Sequence, residues 1–416
     1  MHRLWRKAWR GLLSPWWGAG LVMAAVGLLL LGALHAARAG AASAVAAPVR
    51  DRMGKAYAAS ARDGAGSEYL AGAQPSAPGA YASGATLDVR TADEVILHDA
   101  ARGKDLPVKV YYAATGGPYP VIVFSHGAGG SKDVGAGLLS YWAEHGYVVI
   151  APTHEDSIEL RRAQGEQAGM GGIVERFGTD PQYRLSRVAD DSFVISSLDE
   201  LARRVPELAG KVDPARIGVG GHSAGAMTAM LSGGARNDMA INGPGGPEAA
   251  DLRDGRVSCI LVLSGQGITP LLSAFNEHSW DGVDEPMMVM TGSLDESTRT
   301  AQTPLSRCEP YYYAPAGGKY LVYIEGATHM SFTGKLGGDA GPDERLSGPM
   351  NRALGLSAQQ EHWAESYDQA AIFSWVRMAS LAFWDAHLKG SEMARQWLES
   401  GALDSLSHGQ AGVWHK

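Results

Sequence analysis

The sequence predicts an α/β fold: a mainly parallel central sheet with helices on both faces and an N-terminal antiparallel hairpin. Three observations carry this expectation. Short, continuously apolar runs recur along the chain, as strands covered on both faces require. Segments of helical character separate them, which implies right-handed crossovers between parallel strands. Ahead of the first run, two short apolar segments flank a polar turn, the mark of a hairpin.

In chain order, residues 1–40 read as an address rather than as fold. Arg3, Arg6, Lys7 and Arg10 precede an uncharged stretch, Gly11 to Leu34, and small-residue A-x-A patterns follow at 42–46. That order is expected of a secretory signal peptide. A retained membrane anchor is the alternative, because the uncharged run is long enough to span a bilayer. Either way the charge asymmetry puts the rest of the chain outside the cytoplasm, periplasmic or secreted. Residues 41–88, rich in Ala, Gly, Ser and Pro, read as a flexible linker.

The folded domain is expected over 89–390. Val95–Leu97 and Val108–Tyr112, joined by the turn Asp99–Asp105, form the hairpin. Buried strands are expected at Val121–Phe124, Tyr147–Ala151, Ile217–Gly220, Cys259–Leu263, Met287–Met290 and Tyr320–Ile324. Helices are expected from Leu138 to His145, stopped by Gly146, over one long stretch from Pro181 to Leu208, and from Ala224. A final helix runs from Tyr367 to Leu388 and ends at Gly390, a residue suited to a left-handed C-cap. Residues 391–416 read as a C-terminal tail. Loops at about 155–180, 233–256, 264–285 and 330–360 interrupt the pattern, and in such a sheet the loops at strand carboxyl ends build the site.

Composition narrows the function classes. Hydrophobic residues make up 45% and charged ones 19%, enough apolar material for a large core. The formal charge is −8, although residues 1–40 carry Arg3, Arg6, Lys7, Arg10 and Arg38 and no acidic residue. With no Lys/Arg run downstream, no nucleic-acid partner is expected. The two cysteines, Cys259 and Cys308, read either as unrelated buried thiols or as one disulfide in an oxidising compartment. No H-E-x-x-H, C-x-x-C or Walker pattern occurs, so neither a metal nor a cofactor is expected.

The chemistry centres on Gly221-His222-Ser223-Ala224-Gly225, a G-x-S-x-G between an expected strand and an expected helix. In a chain with 54 glycines the pattern alone is weak, but its setting supports it. A nucleophile elbow needs a sharp turn flanked by small residues, and Gly220, Gly221, Ala224, Gly225 and Ala226 supply them. A serine hydroxyl needs a base to take its proton and an acid to orient that base. Asp295, after the strand at 287–290, is the expected acid, and His329, after the strand at 320–324, the expected base. The other strand end that could hold the acid, after Leu263, offers only Ser264, Gly265 and Gln266. An oxyanion hole needs backbone N–H donors, here those of Ala224 and of Ala128 in the loop Ser125–Gly130. His126 reads as a residue that shapes this loop. Trp280 and Tyr311–Tyr313 read as packing residues, with a pocket wall as the alternative.

Val121-Ile-Val-Phe-Ser-His-Gly127, the hairpin around Asp99–Pro107, the elbow and Gly326-Ala-Thr-His329 resemble the α/β-hydrolase superfamily. Within it they are similar to the platelet-activating-factor acetylhydrolase and dienelactone-hydrolase-like branch, over about residues 93–390. The resemblance implies Ser223, Asp295 and His329 as a triad with Ala128 and Ala224 as oxyanion donors. Two departures stand out: the nucleophile is serine where dienelactone hydrolase has cysteine, and the acid position used by animal acetylhydrolases is empty. The function expected is hydrolysis of carboxylic esters, small-molecule or lipid, through an acyl-enzyme. A peptidase or amidase on the same fold, or a catalytically silent binding protein, are the alternatives. Membrane attachment through residues 11–34 goes with the anchor reading.

Overall fold

A computed structural model describes residues 79–416 apart from 83, 168, 238–250, 270–274, 298–299 and 335–362. These fall within one unit, Ala71–Lys416. The export segment expected at 1–40 and most of the linker expected at 41–88 lie outside the described residues. Among the described residues no helix is long and apolar enough to cross a membrane.

The apolar runs form strands because their side chains are buried on both faces of one sheet. Among the described residues nine strands make it up: β1 (Val89–Asp99), β2 (Lys104–Ala113), β3 (Tyr119–Ser125), β4 (Val148–Pro152), β5 (Val212–His222), β6 (Val257–Leu263), β7 (Met287–Leu294), β8 (Lys319–Thr328) and β9 (Ala411–His415). Their spatial order is β1-β2-β4-β3-β5-β6-β7-β8-β9. The run from β4 to β8 is parallel, whereas β1, β2 and β9 pair antiparallel. The expected hairpin is therefore present, and its turn is tied by Asp99, whose Oδ1 accepts from the amides of Ala101 and Arg102.

Helices cover both faces. Among the described residues they are α1 (Ala136–Glu144), α2 (Ile158–Ala163), α3 (Met170–Thr179), α4 (Pro181–Ser196), α5 (Leu198–Arg204), α6 (Ala224–Ser232), α7 (Glu309–Tyr313), α8 (Gln369–Leu388), α9 (Glu392–Glu399) and α10 (Ala402–Leu406). Period-2 alternation sorts the strand side chains. Ile122, Phe124, Val149, Leu261, Leu263, Met288, Met290 and Val322 join Trp142 of α1 and Trp375, Phe383 and Trp384 of α8 in one core. Helix α8 comes close to β5 because Gly218 has no side chain: a β-carbon there would lie 2.6 Å from the Trp384 ring. Asp368 caps α8 by accepting from the amides of Ala370 and Ala371, both at 3.0 Å. Gly390 follows the end of α8 in the left-handed region.

Three expectations need correction. The single helix over 181–208 is broken at Ser197 into α4 and α5, and Pro206, which cannot continue a helix, opens a separate 3-10 turn. The tail expected at 391–416 forms α9, α10 and β9, which closes the sheet beside β8. Its strand is invisible in sequence because Ala411–His415 is short and only half buried, and pairing with β8 rather than its own pattern defines it. The last residues of the expected flexible linker are anchored. Tyr81 is buried and donates to Asp385 Oδ2 at 2.7 Å, and Leu87 N donates to Glu144 O at 2.8 Å. Cys259 and Cys308 are free, buried thiols.

Candidate active site

The turn from β5 into α6 puts Ser223 at φ 55 and ψ −118 degrees. Such a conformation costs a residue with a side chain about 1–3 kcal/mol and persists only when its surroundings enforce it. They do. A β-carbon on Gly225 would lie 1.8 Å from the Ser125 carbonyl oxygen, and one on Gly221 would lie 2.3 Å from the Gly225 carbonyl. Strand β3 and the start of α6 thus approach to backbone contact, and the Ser223 amide donates to Leu263 O at 3.0 Å.

Two later strands deliver partners to this serine. His329, one residue beyond β8, places Nε2 3.0 Å from Ser223 Oγ. Asp295, one residue beyond β7, places Oδ1 3.2 Å from His329 Nδ1. The three residues expected from the sequence are therefore brought together in a hydrogen-bonded line. His222 Nε2 donates to the His329 carbonyl at 2.7 Å, locking the backbone of the histidine loop.

Burial alone would raise the Asp295 carboxyl, but the Arg307 guanidinium and the hydrogen bonds from His329 and Ser264 hold it down at about 2. It is an anion at neutral pH. Burial lowers His329 below the usual histidine value, with Arg307 adding to the shift and Asp295 opposing it. Neutral imidazole beside an ionised carboxylate is the state in which a histidine can accept a proton from a hydroxyl.

The loop after β3 runs beside the serine. A β-carbon on Gly127 would lie 3.4 Å from that of Ser223. Gly129 N donates to Asp156 Oδ2 and Gly130 N to Gly127 O, both at 3.0 Å, so these two amides are occupied. Ala128 lies just before them, and Ala224, first residue of α6, has no intrahelical acceptor for its amide. His126 is buried, with Nδ1 donating to Gly127 O at 2.6 Å and Nε2 accepting from His154 N at 3.0 Å, so it shapes the loop.

Several functional neighbours escape the sequence reading. Ser264 Oγ, after β6, is 2.8 Å from Asp295 Oδ1 and 2.5 Å from His329 Nδ1. Arg307 Nε lies 2.9 Å from Asp295 Oδ1. The only signal for Ser264 is its place at a strand end, and Arg307 sits in a stretch with no periodicity. Under the loop, Arg187 donates to both Asp156 oxygens and to His126 O, all within a buried site. Other histidines behave as surface or packing groups: His278 is exposed and bonded to Asp281, and His387 packs on Tyr320 and Phe383. His362 lies outside the described residues. Trp280 is fully buried, donates to Met230 Sδ and stacks on Tyr313, which is a packing role.

Compared with known families, residues 87–165 match the family described as platelet-activating factor acetylhydrolase, isoform II. No curated protein matches the chain. The matched stretch runs from the hairpin through the loop after β3 to just beyond α2, and stops short of Ser223, Asp295 and His329. It falls on the segment whose Gly127 packs against Ser223, and the parallel strands that follow carry the same architecture onward. Over residues 87–165 the chain is similar to the platelet-activating-factor acetylhydrolase branch of the α/β-hydrolase superfamily, and its mostly parallel sheet with helices around it has the architecture of that fold.

Proposed function

We propose that the protein is a serine hydrolase that cleaves carboxylic esters through an acyl-enzyme. The single observation that carries this is the line from Ser223 Oγ through His329 to ionised Asp295, at a serine held in a strained turn of positive φ. Ser223 Oγ attacks the ester carbonyl while His329 Nε2 takes its proton, and the Ala128 and Ala224 amides receive the developing oxyanion. Collapse expels the alcohol, which takes the proton back from His329. Water, deprotonated by the same nitrogen, then attacks the acyl group, and the carboxylic acid leaves as Ser223 recovers its proton. Asp295 holds the imidazole in place throughout and keeps its charge.

The substrate class is a small-molecule or lipid ester, in keeping with the matched family. Export is part of the proposal, on the basic residues Arg3–Arg10 ahead of the uncharged Gly11–Leu34, with membrane attachment by that segment if it is retained. Turnover of p-nitrophenyl acetate together with labelling by a fluorophosphonate tests the chemistry. Both should vanish in Ser223→Ala, and an intact protein that neither turns over the ester nor takes the label defeats the proposal.

A further inference from the structure

We infer that Ser264 is a positioning residue of this reaction, a hydroxyl relay between the base and the acid; this rests on the reading of Ser223, His329 and Asp295 given above. The protons around it can be counted. Asp295 is ionised and can only accept. The Ser264 hydroxyl owns one proton and lies 2.8 Å from Asp295 Oδ1, so that proton goes to the carboxylate. Its oxygen, 2.5 Å from His329 Nδ1, must then accept, and the Nδ1 proton is its donor. Nε2, facing Ser223, is left bare. Ser264 thereby selects the one tautomer of neutral His329 that can accept the Ser223 proton.

The direct link between acid and base is the weaker path. Asp295 Oδ1 is shared by Ser264 at 2.8 Å, Arg307 Nε at 2.9 Å and His329 Nδ1 at 3.2 Å, while Thr291 Oγ1 occupies Oδ2 at 2.9 Å. The histidine is the most distant of the three donors on its oxygen, and its shorter contact is to the serine. When His329 becomes imidazolium, the Nδ1 proton stays on nitrogen and the Ser264 proton stays on oxygen. The two bonds tighten in series, with no proton lost or gained.

The backbone at Ser264 is built for this placement. Its φ is positive, in the left-handed region that a serine adopts only under constraint. Ser264 N donates to Met290 O at 2.8 Å, and its carbonyl accepts from Arg307 at 2.8 Å. Both ends of the residue are pinned, and the hydroxyl points between two reacting partners that follow β7 and β8. Arg307 serves both groups, since it also bonds the side chain and the carbonyl of Asp295.

A second expectation comes from the same geometry. A carboxylate at position 264 would reach the same nitrogen that Ser264 Oγ reaches, and Asp tolerates left-handed backbone better than most residues. Arg307 would remain beside it to balance the charge.

The test uses the full-length enzyme with p-nitrophenyl acetate, comparing kcat, KM and their pH dependence with thermal midpoints. Ser264→Gly removes the hydroxyl and suits the left-handed backbone. It should lower kcat about 10- to 100-fold, no more than the low end of the roughly 10²–10⁴-fold of a general acid–base contribution because the base itself remains, with KM unchanged and the midpoint no lower than in the parent. Asp295→Asn should lose most activity, and Asp295→Asn/Ser264→Asp should recover at least about tenfold over it. The acid limb of the double variant should sit at higher pH than that of Asp295→Asn, because a carboxylate beside Nδ1 favours imidazolium. Unchanged kcat and pH profile in Ser264→Gly would overturn the inference, as would a folded double variant no more active than Asp295→Asn. Failure of the underlying reading looks different: Ser223→Ala would then hydrolyse the ester as well as the parent.

Discussion

Asp191 offers a quantitative handle on the buried network beneath the loop after β3. It lies on α4 next to Asp190, and both are fully buried. Burial would raise Asp190, but the hydrogen bonds and charges of His154 and Lys104 hold it at about 2, an anion. Asp191 goes the other way: burial, reinforced by the Asp190 charge, raises it to about 7. His154 Nδ1 donates to Asp190 Oδ2 at 2.9 Å, and its Nε2 lies 3.0 Å from Ser125 Oγ. Ser125 Oγ donates to Asp191, with both oxygens 2.9 Å away, a bond that opposes the rise without cancelling it. An unfolded aspartate ionises at about 4, so between about 4 and about 7 the folded state binds the extra proton and stability falls as pH rises. Roughly three pH units at ~1.4 kcal/mol each make about 4 kcal/mol lost across that window, and a flat penalty above it. Asp191→Asn keeps the shape and cannot ionise. Urea denaturation of both proteins at several pH values should show the variant gaining about 4 kcal/mol on the parent between acid and mildly alkaline solution. A difference that does not change with pH would refute the protonated carboxyl.

Gly225→Ala puts a β-carbon 1.8 Å from the Ser125 carbonyl. Since a displacement of about 1 Å can cost about 10²-fold, kcat/KM for p-nitrophenyl acetate should fall by about that or more. Arg187→Met leaves Asp156 buried without its ion pair and should destabilise by about 3–5 kcal/mol. Adding Asp156→Leu should restore much of the melting temperature but not kcat, because the loop loses the bonds to Gly129 N and His126 O. The base must be neutral to act, and burial depresses His329. The acid limb of kcat/KM should therefore have its midpoint below the ordinary histidine value of about 6.5; a midpoint above it would contradict the shift.

The sheet was legible because burial on both faces leaves a continuous apolar run, as in Val121–Phe124 and Met287–Met290, and no surface element imitates that. Ser223 was legible for a local reason: the small residues at 221 and 225 are needed for backbone contact with Ser125. Asp295 and His329 followed from their positions one residue beyond strands. What escaped depends on partners distant in sequence. Strand β9 exists because β8 offers a free edge, and Tyr81 is ordered by Asp385, far along the chain. Arg187, Asp156, Asp190 and Asp191 read as ordinary surface charges until the fold buries them together. Ser264 reads in sequence only as a strand end without a carboxylate. Its hydroxyl is significant because two other loops bring His329 and Asp295 to it, and no property of one residue encodes that.

At the centre of the proposed chemistry, Ser223 carries the acyl group. Rapid quenching of the enzyme with p-nitrophenyl acetate, followed by peptide mass spectrometry, tests this most directly. One acetyl group is expected on Ser223 during turnover, absent in Ser223→Ala and absent once substrate is exhausted. Turnover with the acetyl group on another residue, or full turnover by Ser223→Ala, would contradict it.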